Sequence, residues 1–281
     1  MLAMTPGVGG KTVTRVLARN DLLGRTPEEF LRLSPEALKE EYKLGAKPAE
    51  TIGGLGKRLA ESTKELEARL DKLGVTLVTA ADVHYPAVVE EMDADPPGVL
   101  FLYGNNRLLE ARTFCVLSSR NSPPAALDQI EKLAEEGVLQ GETVVSGHDT
   151  PEYQRSALVP LRWGAPRILC LDRGLFAALG GELKEEPFRA ARLWRYEFDP
   201  KTDLVVSPFQ PDARFAGNYN RLRDRLIACL SRRLDFVEIT PDGNMEKNAR
   251  MALKAGRPVR VSDRSVNYRA LRELGAEVIP A

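Results

Sequence analysis

From Lys11 to about Leu73 apolar residues recur every three or four positions, the spacing of amphipathic helices. Two starts are marked at Thr26-Pro27-Glu28-Glu29 and Ser34-Pro35-Glu36, each an N-cap followed by proline at the first helical position. The strongly charged segment from Leu55 to Leu73, apolar at Leu55, Leu59, Leu66, Leu70 and Leu73, is expected to close this part or to serve as a long connecting helix. After Gly74 the period shortens. Val75 to Thr79 and Val99 to Tyr103 read as strands on either side of a turn at Pro96-Pro97. Further strands are expected at Phe114 to Ser118, Thr143 to Ser146, Ile168 to Leu171, Leu204 to Ser207, Phe236 to Thr240, Val259 to Val261 and Glu277 to Ile279. Between them the pattern predicts helices over Pro124 to Glu136, Pro151 to Trp163, Tyr219 to Ser231, Met245 to Ala255 and Val266 to Leu274. Strand and helix in alternation predict an α/β fold with a doubly wound sheet, preceded by a small all-helical domain, with the boundary after residue 73.

One of these helices carries its charge in an unexpected place. In Tyr219-Asn-Arg-Leu-Arg-Asp-Arg-Leu-Ile-Ala-Cys-Leu-Ser231, the residues Tyr219, Leu222, Leu226, Ile227, Cys229 and Leu230 share one arc of the helical wheel. Arg221, Arg225 and Arg232 lie at its edge as a solvated face would. Arg223 falls inside the arc, where an unpaired charge is costly, and so points to an anionic ligand.

Composition narrows the classes. Forty basic residues balance 40 acidic ones, so a nucleic-acid site must be a local patch. The three cysteines, Cys115, Cys170 and Cys229, lie in apolar runs without CxxC spacing, which fits reduced thiols in a cytoplasmic protein. No stretch approaches the roughly 20 apolar residues of a membrane span. Only two histidines are present, His84 and His148, so no histidine-rich metal site is expected.

In such sheets ligands bind where strands end and helices begin, and four junctions have suggestive chemistry. At the first, Ser118-Ser119-Arg120 precedes a helix starting at proline, either an anion site of hydroxyls, amides and guanidinium or a polar turn with a solvated arginine. At the second, Ser146-Gly147 permits close backbone approach, Asp149 or Thr150 can cap the next helix, and His148 beside Asp149 offers a general base or a plain loop histidine. The third is the start of the arginine helix. At the fourth, Asp242-Gly243 enters a helix in which Lys247 and Asn244 are candidates to face the same crevice, against an ordinary capped turn. Near the chain start, Thr5-Pro-Gly-Val-Gly-Gly-Lys-Thr12 has the outline of a triphosphate loop, but no buried strand precedes it and no acidic strand end offers a magnesium partner. It reads instead as a glycine turn opening a helix, as in helix-hairpin-helix modules, or as a purely structural turn.

Taken in order, these junctions resemble the DNA-processing protein A (DprA/Smf) family. Asp82-Val-His-Tyr85-Pro86 and Pro96-Pro97-Gly-Val-Leu-Phe-Leu-Tyr-Gly104-Asn105 are similar to the segment leading into that family's extended Rossmann-like domain. Ser118-Ser119-Arg120 is similar to its Gly-Ser/Thr-Arg motif, and Ser146-Gly147 to its Ser-Gly strand end. Arg223-Asp224-Arg225 with Leu230-Ser231 resembles its Arg-Asn-Arg helix, and Ala252 to Arg257 its Ala-x-x-x-Gly-Arg ending. Ser118 stands where the family has glycine, Asp224 where it has asparagine, and the loop after Gly147 is shorter. The resemblance is to a divergent member expected to lack the family's C-terminal winged helix.

The resemblance implies a Rossmann-like domain over residues 74–281, of the type shared with phosphoribohydrolases, behind a helical domain over residues 1–73. It also implies a non-enzymatic, cofactor-free homodimer that binds single-stranded DNA and loads the RecA recombinase during DNA uptake. The DNA contacts it implies are Ser119, Arg120, Ser146, Gly147, Arg223, Arg225 and Lys247. The alternative within the same superfamily is a nucleotide sensor or nucleotide-cleaving protein.

Overall fold

The computed structural model describes residues 1–193 and 197–281. They form two compact units, Met1–Tyr85 with Ala94–Phe101, and Pro86–Asp93 with Leu102–Ala281.

The first unit is built on α1 (Gly10–Leu23), α2 (Pro27–Phe30), α3 (Pro35–Tyr42) and α4 (Ala46–Lys72). The predicted starts take the form their residues dictate. Thr26 accepts from the Glu29 amide while the Glu29 carboxylate accepts from the Thr26 amide, and Ser34 accepts from Ala37. Val16, Phe30, Leu38, Tyr42, Leu44, Ala49 and Ile52 make its core, with the Phe30 and Tyr42 rings edge to face at 5.0 Å. The glycine turn ahead of α1 is a packing device. The Gly10 amide donates to Pro96 O at 2.9 Å, and a Cβ on Gly10 would lie 2.8 Å from that oxygen. Leu73 ends α4, and β1 (Val75–Thr79) follows in the same unit beside the first residues of β2 (Val99–Gly104). Among the described residues no helix is long and apolar enough to cross a membrane.

The second unit begins with α5 (Ala87–Met92) and the end of β2, then alternates. Its elements are β3 (Thr113–Leu117), α6 (Pro124–Leu139), β4 (Thr143–Ser146), α7 (Pro151–Trp163), β5 (Arg167–Cys170), α8 (Leu175–Leu179), β6 (Leu204–Ser207), α9 (Tyr219–Leu230), β7 (Arg233–Phe236), α10 (Asn244–Lys254), β8 (Val259–Ser262), α11 (Tyr268–Glu273) and β9 (Glu277–Ile279). The strands order as β2-β6-β5-β4-β3-β7-β8-β9, and every pairing from β6 to β9 is parallel. This is the doubly wound, Rossmann-like arrangement. The chain works outward from β3 to β6, returns through α9 to place β7 against β3, and works outward again, so the topological switch point lies between β3 and β7.

One strand lies earlier than the pattern predicts, at Arg233–Phe236. Phe236 to Thr240 was expected to be a strand, yet β7 ends at Phe236, opposite Leu117. Beyond that pair backbone bonds continue from Val237 N to Leu117 O and from Ser119 N to Glu238 O, while serine hydroxyls take two amides of the segment after β7. Glu238 N donates to Ser118 Oγ at 3.1 Å and Thr240 N to Ser119 Oγ at 2.8 Å. The three cysteines are free and buried, and burial pushes their thiols up, that of Cys229 to about 12.

Candidate functional site

The switch point opens into a cavity of about 420 Å³, within the range of small-ligand sites. Its floor is the loop after β3. Ser119 N donates to Glu238 O at 2.7 Å, Ser122 Oγ donates to Ser119 O at 2.8 Å, and Ser118 Oγ lies 2.7 Å from Ser122 Oγ. Since the Ser122 proton is taken by Ser119 O, Ser118 is the donor in that last pair. Ser119, whose oxygen already accepts from Thr240, keeps its own proton for a further acceptor. Arg120 follows, exposed, on the cavity wall.

The opposite walls are helix starts. Gly243, Asn244 and Met245 line the cavity, and the Gly243 N-cap has no side-chain hydrogen bond to the first turn of α10. Gly217, Asn220 and Arg221 line it from the start of α9, whose N-cap Asn218 is likewise without one. At α9 the Tyr219 amide donates to Ala216 O and the Arg221 amide to Asn218 O, so it is the first turn of α10 that brings open amides and the positive end of a helix dipole to the exposed arginines. Three arginines, Arg120, Arg221 and Arg223, face a single carboxylate, Asp224. The arrangement suits an anion.

The position of Arg223 demands a counter-charge, and the fold supplies two. Nε donates to Asp224 Oδ1 at 2.8 Å, Nη1 is hydrogen-bonded to Asp149 Oδ1, and Nη2 lies 3.4 Å from Asp149 Oδ2. The guanidinium is 4.5 Å from the centre of the Tyr153 ring, and Arg223 is 1% exposed. An external anion is therefore not needed to balance it. Burial works against its charge, yet Tyr153, Asp224 and Asp149 hold it above the ordinary arginine value. Burial also pushes Asp149 up, but Arg223 outweighs this and holds the carboxyl below its usual value. Asp224, the residue that departs from the family motif, is the hub. It accepts from Tyr153 Oη at 2.6 Å, from Arg223, and from Asn244 Nδ2 at 2.9 Å.

The other candidates are dispersed. Gly147 is required by Arg223: a Cβ there would lie 2.6 Å from Nη1 and 3.0 Å from the Tyr153 ring. Ser146 is buried, and its Oγ has no hydrogen-bond partner among the described residues. Arg225 points away to Asp93, with Nε 2.8 Å from Oδ2. Lys247 is exposed on α10 and lines neither this cavity nor its neighbour. Tyr219 packs face to face on Phe209, ring centres 3.9 Å apart. His148 is buried, with Nε2 3.8 Å from Asp172 Oδ1, and burial pushes its imidazole down to about 4, so it is neutral at ordinary pH. A second cavity of about 500 Å³ adjoins the first through Arg120, Thr150 and Asn220. It is lined by Arg173, Asp172 and the half-exposed ring of Phe215 as well. The pattern places Arg221 on a solvated face and gives no sign of Asn220 or Arg173. Their contribution comes from α9 and β5 reaching the switch point together, a feature of topology rather than of local sequence.

Residues 76–150 match the sequence profile of DNA recombination-mediator protein A. Over this segment the chain is similar to that family. The matched residues run from β1 to Thr150 and include the Ser118-Ser119-Arg120 and Ser146-Gly147 junctions. Among solved structures, DNA processing protein A from Streptococcus pneumoniae is similar at a TM-score of 0.72 and 18% identity, covering 99% of this chain and 92% of that one. DNA processing protein A from Helicobacter pylori, whose structure describes a single-stranded DNA binding mode, is similar at a TM-score of 0.55 and 19% identity, over 73% of this chain and 90% of that one. These two likenesses establish the shared fold. No curated protein sequence matches the chain.

Proposed function

We propose that this protein binds single-stranded DNA at the switch point, in a DNA-processing role of the kind its family name describes. The observation that carries the reading is the cavity between β3 and β7, where the first turn of α10 meets two exposed arginines, Arg120 and Arg221. Phosphates contact Ser119, Arg120, Arg221 and the first turn of α10. Ser146 and Gly147 shape the wall behind, and Phe215 in the adjoining cavity gives a base a face to stack on. Arg225 and Lys247 take part only where the strand runs beyond the cavity.

The protein acts as a cytoplasmic binding protein rather than an enzyme. Burial of His148, whose Nε2 has no hydrogen-bond partner among the described residues, supports this. Delivery of the strand to the RecA recombinase by a homodimer is the further step, supported by the family match alone.

The test is fluorescence anisotropy with labelled oligothymidylate across a salt series. The logarithm of affinity is expected to fall linearly with the logarithm of salt, by about 0.7 for each phosphate neutralised. Arg120→Ala and Arg221→Ala should each remove about one such increment. Absence of binding at low salt, or an unchanged slope in the double variant, would sink the reading. Strong thermal stabilisation by a mononucleotide with oligonucleotides inert would favour a nucleotide sensor instead.

A further inference from the structure

Arg223 has the chemistry of a phosphate ligand and the surroundings of a strut. One guanidinium joins four segments: the loop after β4 through Asp149, α7 through the Tyr153 ring, its own α9, and the first residue of α10 through Asp224 and Asn244. All four segments line the switch-point cavity, the loop after β4 through Thr150 and α7 through Tyr153. With Asp149 and Asp224 both on it, the guanidinium adds no net positive charge to the site. At 1% exposure it has no free face to offer a ligand, and Gly147 packs against Nη1 so closely that even a methyl group is excluded.

We infer that Arg223 is a positioning residue: the Asp149–Arg223–Asp224–Asn244 chain fixes the spacing of the cavity walls without touching DNA. This inference rests on the single-stranded DNA reading for its effect on affinity, but the strut itself is independent of any ligand. Asp224 is central because only a carboxylate accepts from Arg223, Tyr153 and Asn244 at once.

Three variants of the full chain test it. Asn244→Ala cuts only the last link and keeps every buried charge paired. Arg223→Gln removes the centre. Asp149→Asn removes the carboxylate opposite the Nη atoms. The first readout needs no DNA: hydrogen exchange of the first bonded amides of α10, beginning with Lys247 N on Gly243 O, should speed up in Asn244→Ala while the melting temperature stays near wild type. Unchanged exchange there overturns the strut whether or not DNA binds. The second readout is the salt series. Asn244→Ala and Arg223→Gln should lose affinity several-fold with the wild-type slope, whereas Arg221→Ala loses slope. A slope reduced in Arg223→Gln as in Arg221→Ala would make Arg223 a phosphate contact and overturn the inference. So would tighter binding with a steeper slope in Asp149→Asn, which would mean that Asp149 occupies the place of a phosphate. Failure of the wild type to bind any oligonucleotide counts against the DNA reading, and the exchange result then decides the strut alone.

Discussion

Asp149 and Asp224 reach Arg223 from opposite directions along the chain, one 74 residues away and one its neighbour. The helical wheel locates the arginine inside the apolar arc because that depends only on local spacing. It cannot locate Asp149, whose approach depends on β4 lying beside β3. The same distance effect explains Gly147, legible as a residue permitting close approach but not as to what approaches. Gly147→Ala would press a methyl group into Nη1 at 2.6 Å and the Tyr153 ring at 3.0 Å. Since Nη1 is pinned by Asp149, the guanidinium cannot simply swing aside. We expect a loss of about 1 to 3 kcal/mol, read as a lower urea midpoint at an unchanged denaturant slope.

Helices and strands were legible where their ends carry chemistry. Proline at the first helical position marks α6 and α7, and both begin where the sequence predicts. The short helices α5 and α8, of 6 and 5 residues, complete too few turns to show a period. The misplacement of the strand expected at Phe236 to Thr240, which lies at Arg233–Phe236, has a different cause. Val237 and Ile239 are buried as strand residues would be, but the Glu238 and Thr240 amides go to serine hydroxyls rather than to the partner backbone. Packing between α6 and β3 supplies a test at this scale. Gly137 lies over the Phe114 ring, and a Cβ there would come within 2.3 Å of it. Alanine improves helix propensity by about 1 kcal/mol, whereas overpacking a buried ring costs about 1 to 3 kcal/mol. The net sign should be destabilising, and a lower melting temperature for Gly137→Ala would show it.

Across the molecule, balanced charge leaves the switch point to provide its own attraction, and the site is correspondingly local. The architecture itself was legible, because alternation of strand and helix admits few arrangements. Which helices converge was not, because α9 arrives at the site only through the long return from β6 to β7. Stability should carry the imprint of one buried group. His148 is held neutral by burial, down to about 4, whereas in the unfolded chain it titrates near the ordinary 6.5. Between those values the unfolded state binds the extra proton, so stability rises with pH and is lost as pH falls. From about pH 7.5 to about pH 5 the loss from this group should be roughly 2 kcal/mol, and His148→Gln should flatten the profile over that interval.

The hydroxyl clasp at the end of β3 also sets when the site can exist. Ser118 and Glu238 are 120 residues apart, and Ser119 and Thr240 are 121 apart, so the floor of the cavity closes the longest loop in the second unit's binding region. Contacts of such separation must offset a large loop-closure entropy and form late. During synthesis, β3 to β5 are made well before Thr240 is added. A nascent or truncated chain ending before α10 therefore carries Arg120 and Arg223 without a cavity to hold them, and competence for binding arrives only as the sheet's second half docks.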